Sequence, residues 1–265
     1  MPNSDTASNS DTGQSAQLPA FIERPDGERI AYIKTEGDKD LPGIVFLGGY
    51  MSDMTGSKAT ALEEFAINNN QSFVRFDYMG HGQSSGKFTD GTIGRWTEDA
   101  LAVIDELTSG PQVLVGSSMG GWIMFNTALK RPERSKALVG IAAAPDFTQD
   151  LMWDIFSEEI KDTLLSEGVY YEPSEYGDEP YAITLNLIEE GRQHLLLGKQ
   201  QPIDCPVRLI QGMKDVDVPW DIVPRIVDSV RADDVEVTLV KNGDHRLSEP
   251  HDLQRLRKII KEISC

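Results

Sequence analysis

Apolar positions along the chain follow two alternating rhythms. Short runs rich in Val, Ile and aromatic residues, bounded by Gly, Pro or Asp, read as strands at residues 29–36, 43–49, 72–78, 112–115, 136–144, 207–211 and 235–241. Helix-period segments separate them at residues 57–68, 92–108, 120–130, 220–230 and 253–263. Over 92–108, for example, Ile93, Leu101, Ile104 and Leu107 fall near one face. Strands alternating with helices predict a mostly parallel sheet with helices on both faces, an α/β fold.

The rhythm breaks once. Residues of about 145–203 show no clear sheet strand, only helix-like stretches, and Met152, Phe156, Ile160 and Leu164 recur every four residues as one apolar stripe. Such a segment reads as a small helical lid inserted over one end of the sheet.

Composition bounds the rest. At 265 residues, with 39% hydrophobic and 26% charged positions, the chain suits one large α/β domain, expected over residues 19–265. Residues 1–18 hold no Lys or Arg and no apolar core. They read as a flexible tail, without the features of a secretory signal or an Arg-rich presequence. The formal net charge of −18 repels phosphate backbones and anionic lipid, so no nucleic-acid partner is expected. No apolar stretch of membrane-spanning length occurs, so no stable membrane insertion is expected either. Two cysteines, Cys205 and Cys265, cannot build a disulfide framework. A reducing, cytoplasmic location is the corresponding expectation. No His/Cys/Asp cluster has metal-ligand spacing, and neither a metal nor a cofactor is expected.

Candidate chemistry begins at Gly116-Ser117-Ser118-Met119-Gly120, a G-x-S-x-G between an apolar strand and a helix. A strand–turn–helix of this kind presents Ser118 as a nucleophile on a sharp turn. A serine hydroxyl needs a base. Of four histidines, His245 follows the last strand; His81 and His194 precede the candidate acids, and His251 opens the final helix. The carboxylate that orients His245 falls in Gly212-Met213-Lys214-Asp215-Val216-Asp217-Val218-Pro219. Asp215 lies on the strand-end loop, with Pro219 opening the next helix. Asp217 is the rival, its bland role being a helix cap. Acyl transfer also needs oxyanion donors, expected from the backbone N–H of Met119 and of Tyr50 in the loop after residues 43–49. Met51, Met54, Met119, Met152, Trp153 and Phe156 are candidates to line an acyl pocket, against core packing as the plainer role. Gly80-His81-Gly82 reads as a structural loop, and Asp77 as its hydrogen-bond acceptor.

The segments GGYMSDMTGSKATALEEFA, VRFDYMGHGQSSG, VLVGSSMGGW, CPVRLIQGMKD with VPW, and DHR make the chain resemble the α/β-hydrolase superfamily from about residue 20 to 262. Within it, the likeness is to acyl-protein thioesterases and acyl-glucuronide esterases. The resemblance implies an α/β-hydrolase fold, a triad of Ser118, Asp215 and His245, and a small acyl ester or an S-acylated protein as substrate. A general carboxylesterase and a silent ligand-binding protein on the same fold are the alternatives.

Overall fold

The central strands are buried along nearly their whole length because both faces of the sheet are covered. The computed structural model describes residues 18–173 and 180–264. Its first half runs β1 (Ala20–Glu23), β2 (Arg29–Thr35), β3 (Gly43–Leu47), α1 (Ser57–Asn68), β4 (Phe73–Phe76), α2 (Ile93–Leu107), β5 (Gln112–Ser117), α3 (Met119–Lys130) and β6 (Ser135–Ile141). An insertion follows, with a π-helical turn at Thr148–Trp153, α4 (Glu158–Glu167), β7 (Val169–Glu172), β8 (Tyr181–Thr184) and α5 (Leu185–Gly191). The sheet then resumes as β9 (Val207–Gly212), α6 (Ile222–Ser229), β10 (Val235–Val240) and α7 (Pro250–Ile263). Eight strands form one sheet in the order β1-β2-β4-β3-β5-β6-β9-β10. The pairs β1–β2 and β2–β4 are antiparallel, and the rest are parallel.

Alternate side chains of each central strand enter different cores. Val45, Leu47, Leu114 and Leu138 join Trp96, Trp122 and Ile226 from α2, α3 and α6. Ile44, Phe46, Val113, Val115 and Val139 join Leu62 of α1 and Leu256 and Ile260 of α7. Burial on both faces is what makes these strands read as continuous apolar runs. The strand β1 was not legible as one; its pattern of mostly exposed positions is that of a sheet edge.

The lid differs from expectation in one respect. It carries a hairpin, β7–β8, separate from the main sheet. The four-residue stripe is therefore no single helix: Met152 lies on the π turn and Ile160 and Leu164 on α4. Its members still meet, because Phe156 and Leu164 pack with Ile183 and Ile188 in a small core of the lid's own. Ser157 caps α4 by accepting from Ile160 N–H, and Gly168, at φ 79°, ends it in the left-handed conformation. Pro219 also lies three residues ahead of α6 and does not open it; its carbonyl accepts from Ile222 N–H. The tail expected over residues 1–18 lies, apart from Leu18, outside the described residues.

One buried charge couples stability to pH. Asp99 on α2 is fully buried and accepts from Met79 N–H at 2.9 Å, with Arg95 and Arg24 at 3.4 and 3.7 Å. Burial outweighs these partners and pushes its carboxyl up to about 6. A raised carboxyl stabilises the fold below the unfolded-state value and loses that contribution as pH climbs through the folded-state value. Asp99→Asn does not titrate. Its stability relative to the natural chain is therefore expected to improve by about 1 kcal/mol between about pH 5 and pH 8. Paired urea titrations at the two pH values check this, and a gap that stays constant or moves the other way counts against it.

Candidate active site

The turn after β5 is built for one residue. Ser118 adopts φ 54° and ψ −121°, a left-handed region that costs a non-glycine residue energy. The surroundings enforce it: Ser118 N–H donates to the Ile141 carbonyl at 2.9 Å, and Ser118 C=O accepts from Gly121 and Ala144 N–H. The turn also lets α3 start hard against the sheet. A Cβ at Gly120 would collide with the Leu47 and Gly48 carbonyl oxygens, and one at Gly116 with the Gly120 backbone. These two glycines are required by close approach.

The loops after β9 and β10 bring the other candidates to the same rim. They touch at Gly212, where a Cβ would lie 2.5 Å from the Gly243 and Asp244 carbonyl oxygens, and Lys214 N–H donates to Gly243 C=O at 2.9 Å. His245 Nε2 stands 3.1 Å from Ser118 Oγ, and its Nδ1 stands 2.9 Å from Asp215 Oδ2. The Asp215 side chain is fully buried, while His245 is 18% exposed, which leaves the ring reachable from the cleft. Asp215 Oδ1 accepts from Asp217 and Val218 N–H at 3.0 and 2.8 Å, and Oδ2 also accepts from Gln211 Nε2 at 2.9 Å. A carboxylate so held accepts from His245 Nδ1–H, which leaves Nε2 to accept from the Ser118 hydroxyl. Asp217 is not at the N-cap of α6, a position held by Asp221. Asp217 is exposed at the cleft mouth, and its backbone N–H helps to hold Asp215. Lys58 on α1 donates to the Arg246 carbonyl at 2.5 Å and ties down the histidine loop; burial pushes its ammonium down to about 8.

The candidate oxyanion donors flank Ser118. A Cβ at Gly49 would meet Ser118 Cβ at 3.4 Å, so the loop carrying Tyr50 lies against the nucleophile turn. Among the described residues, neither Tyr50 nor Met119 N–H donates to a protein acceptor. Both residues line a cavity of about 920 Å³ that also holds Ser118 and His245. Its lid side is apolar, with Leu151, Met152, Ile155, Phe156 and Ile160. Of the acyl-pocket candidates, Met51, Met119, Met152 and Phe156 line it. Two do not. Met54 is buried beside Ala31 and Ile33, and Trp153 stacks under the Arg192 and Lys161 cations, 5.0 and 5.8 Å from its ring. At the mouth, Glu172 on β7 is pushed up by burial and by the facing Asp217 charge.

Asp215, Asp217 and His245 offer ligand-type atoms within 4.8 Å of one another. They are a poor metal cage, because His245 Nδ1 and Asp215 Oδ2 already hydrogen-bond each other. His81 takes no part; it is buried beside Tyr78, Phe88 and Trp96, which push it down to about 4, so it stays neutral. Asp77 holds the loop as expected, accepting from Met54 and Gln83 N–H at 2.7 and 2.8 Å. The Gln211 contact was missed, although a glutamine inside an apolar strand is a signal that its amide must find buried partners.

A mostly parallel eight-stranded sheet, its crossover helices and a serine on the strained turn after β5 define an α/β-hydrolase. Residues 43–165 match the family described as serine aminopeptidase, S33. The bovine protein named palmitoyl-protein thioesterase ABHD10, mitochondrial, is 44% identical over 247 residues, 92% of this chain and 79% of the relative. Alpha/beta hydrolase domain-containing protein 10 from mouse superposes with a TM-score of 0.86 at 39% identity, over 93% of this chain and 98% of that one. A crystallised protein of Agrobacterium vitis S4 described as a hydrolase reaches 0.90, also at 39% identity and the same coverage. The chain belongs to the family of α/β-hydrolase domain-containing protein 10.

These relatives correct the expected cytoplasmic location, since the bovine, orangutan and human proteins are named as mitochondrial. Cysteine usage separates oxidising from reducing compartments and cannot tell one reducing compartment from another. Among the described residues no helix is long and apolar enough to cross a membrane.

Proposed function

We propose that the chain hydrolyses acyl thioesters, and oxygen esters of the same acyl groups, through a covalent acyl-enzyme on Ser118. The observation that carries the reading is the Ser118–His245–Asp215 hydrogen-bond relay opening into a cleft with an apolar lid side. The names of the mammalian relatives support S-acylated proteins as a substrate class.

The chemistry follows from the geometry. His245 Nε2 takes the Ser118 proton as Oγ adds to the acyl carbonyl carbon. The carbonyl oxygen becomes an oxyanion, stabilised by the N–H groups of Met119 and Tyr50. Asp215 holds the imidazolium in place. The tetrahedral species collapses as His245 returns the proton to the departing sulfur or oxygen, leaving an ester on Ser118. Water, deprotonated by the same nitrogen, adds to that ester; the second collapse releases the fatty acid and restores Ser118. The reading calls for no cofactor.

Matched thioesters and oxygen esters from acetyl to palmitoyl test it. The expected result is a kcat/KM that rises with acyl length and favours sulfur as leaving atom. A response flat in both length and leaving atom would make the chain a general carboxylesterase instead. Failure of a fluorophosphonate probe to label Ser118 would leave only a silent binding protein.

A further inference from the structure

The side chain of Tyr50 has no part in the reaction above, yet it is among the most constrained at the site. Its hydroxyl donates to the Ala182 carbonyl at 2.6 Å, joining the loop after β3 to lid strand β8 across 132 residues of sequence. Its ring is clamped from two sides. Phe88 and Trp96 of the sheet body approach it edge-on at 4.9 and 6.0 Å between centroids. Phe147 and Tyr181 of the insertion approach at 6.0 and 6.1 Å. Burial pushes the phenol well above its ordinary range, so it remains a donor.

The backbone of this loop has few restraints of its own. Gly49 precedes Tyr50, and Met51 follows at φ 53°. Its one internal backbone hydrogen bond among the described residues runs from Ser52 N–H to Gly49 C=O at 3.1 Å. That bond holds the Gly49 oxygen, and the same planar peptide carries the Tyr50 N–H, so the direction of that N–H is set by this turn together with the fastening of the side chain to the lid.

We propose that Tyr50 is a positioning residue whose phenol ties the oxyanion-hole peptide to Ala182 of the lid, so that a seated lid sets the aim of the Tyr50 N–H. The proposal rests on the reading of that N–H as an oxyanion donor. It makes the lid part of the catalytic apparatus: displacement of β8 releases the hydroxyl, and the hole loses its alignment while Ser118, His245 and Asp215 stay in place.

Tyr50→Phe separates the roles, because it keeps the ring and the backbone N–H and removes only the latch. The expected result is a kcat lower by about five- to tenfold at unchanged KM. Affinity for a trifluoromethyl ketone, which adds to the serine as a tetrahedral oxyanion, should fall by the same factor while the melting temperature holds. A wild-type kcat overturns the proposal, and so does a lower kcat with unchanged ketone affinity.

Should the variant melt too low to assay, the natural chain provides a second test. Hydrogen exchange after fluorophosphonate capture of Ser118 is expected to slow at residues 48–51 and 181–184 together; slowing at 48–51 alone overturns the latch. Failure of the parent reading looks different, as an unlabelled natural chain or a fully active Ser118→Ala.

Discussion

Ser118→Ala is expected to lower kcat for a long-chain acyl thioester by about five to six orders of magnitude and to abolish fluorophosphonate labelling. The change removes one oxygen, the atom 3.1 Å from His245 Nε2. Alanine is no larger than serine, and the backbone bonds to Ile141, Gly121 and Ala144 that hold the turn do not involve the side chain. Folding and the acyl cleft should survive, so the loss falls on chemistry. A residual rate of about 10³ over water is expected from the remaining donors. Steady-state hydrolysis with a melting curve on the same sample checks the result, and turnover within tenfold of the natural chain would falsify the nucleophile assignment.

The second large effect distinguishes two carboxylates two residues apart. Asp215→Asn is expected to lower kcat by about 10⁴. An asparagine has one oxygen where Asp215 uses two. If that oxygen keeps the Asp217 and Val218 N–H groups, the amide NH2 faces His245 Nδ1. The ring must then accept at Nδ1 and carry its proton on Nε2, where it can no longer take one from Ser118. Asp217→Asn keeps these hydrogen bonds, because Asp217 holds Asp215 Oδ1 through its backbone N–H. A change within about threefold is expected. Parallel kcat measurements on the two variants decide the matter, and the reverse order moves the acid to Asp217.

Most of the frame was legible because burial on both sheet faces writes itself as unbroken apolar runs. The strands read at residues 43–49, 112–115 and 207–211 correspond to β3, β5 and β9, each largely buried. The candidate site was legible where geometry forces composition: Gly116 and Gly120 crowd the nucleophile turn so closely that a side chain is excluded. The lid was not. A four-residue stripe looks helical, but Phe156 and Ile183, far apart in sequence, meet and build a core that no local period records. Trp153 misled for a related reason, since an aromatic residue beside an apolar stripe can serve as a platform for surface cations. Tyr50 was noticed for its backbone alone. Nothing in the sequence announces that its hydroxyl reaches a carbonyl 132 positions away.

The insertion leaves the chain after β6 and ends before β9, while Ser118 precedes it and Asp215 and His245 follow it. On the proposed reading, acyl preference and bond cleavage thus lie on separate stretches of polypeptide, and a different cover could be grafted between Pro145 and Ile203, beyond the Ala144 N–H that holds Ser118, without disturbing a register of the main sheet. Such a transplant carries one structural obligation. It must offer an acceptor where Ala182 now stands, or the chimaera will bind its new substrate and turn it over sluggishly.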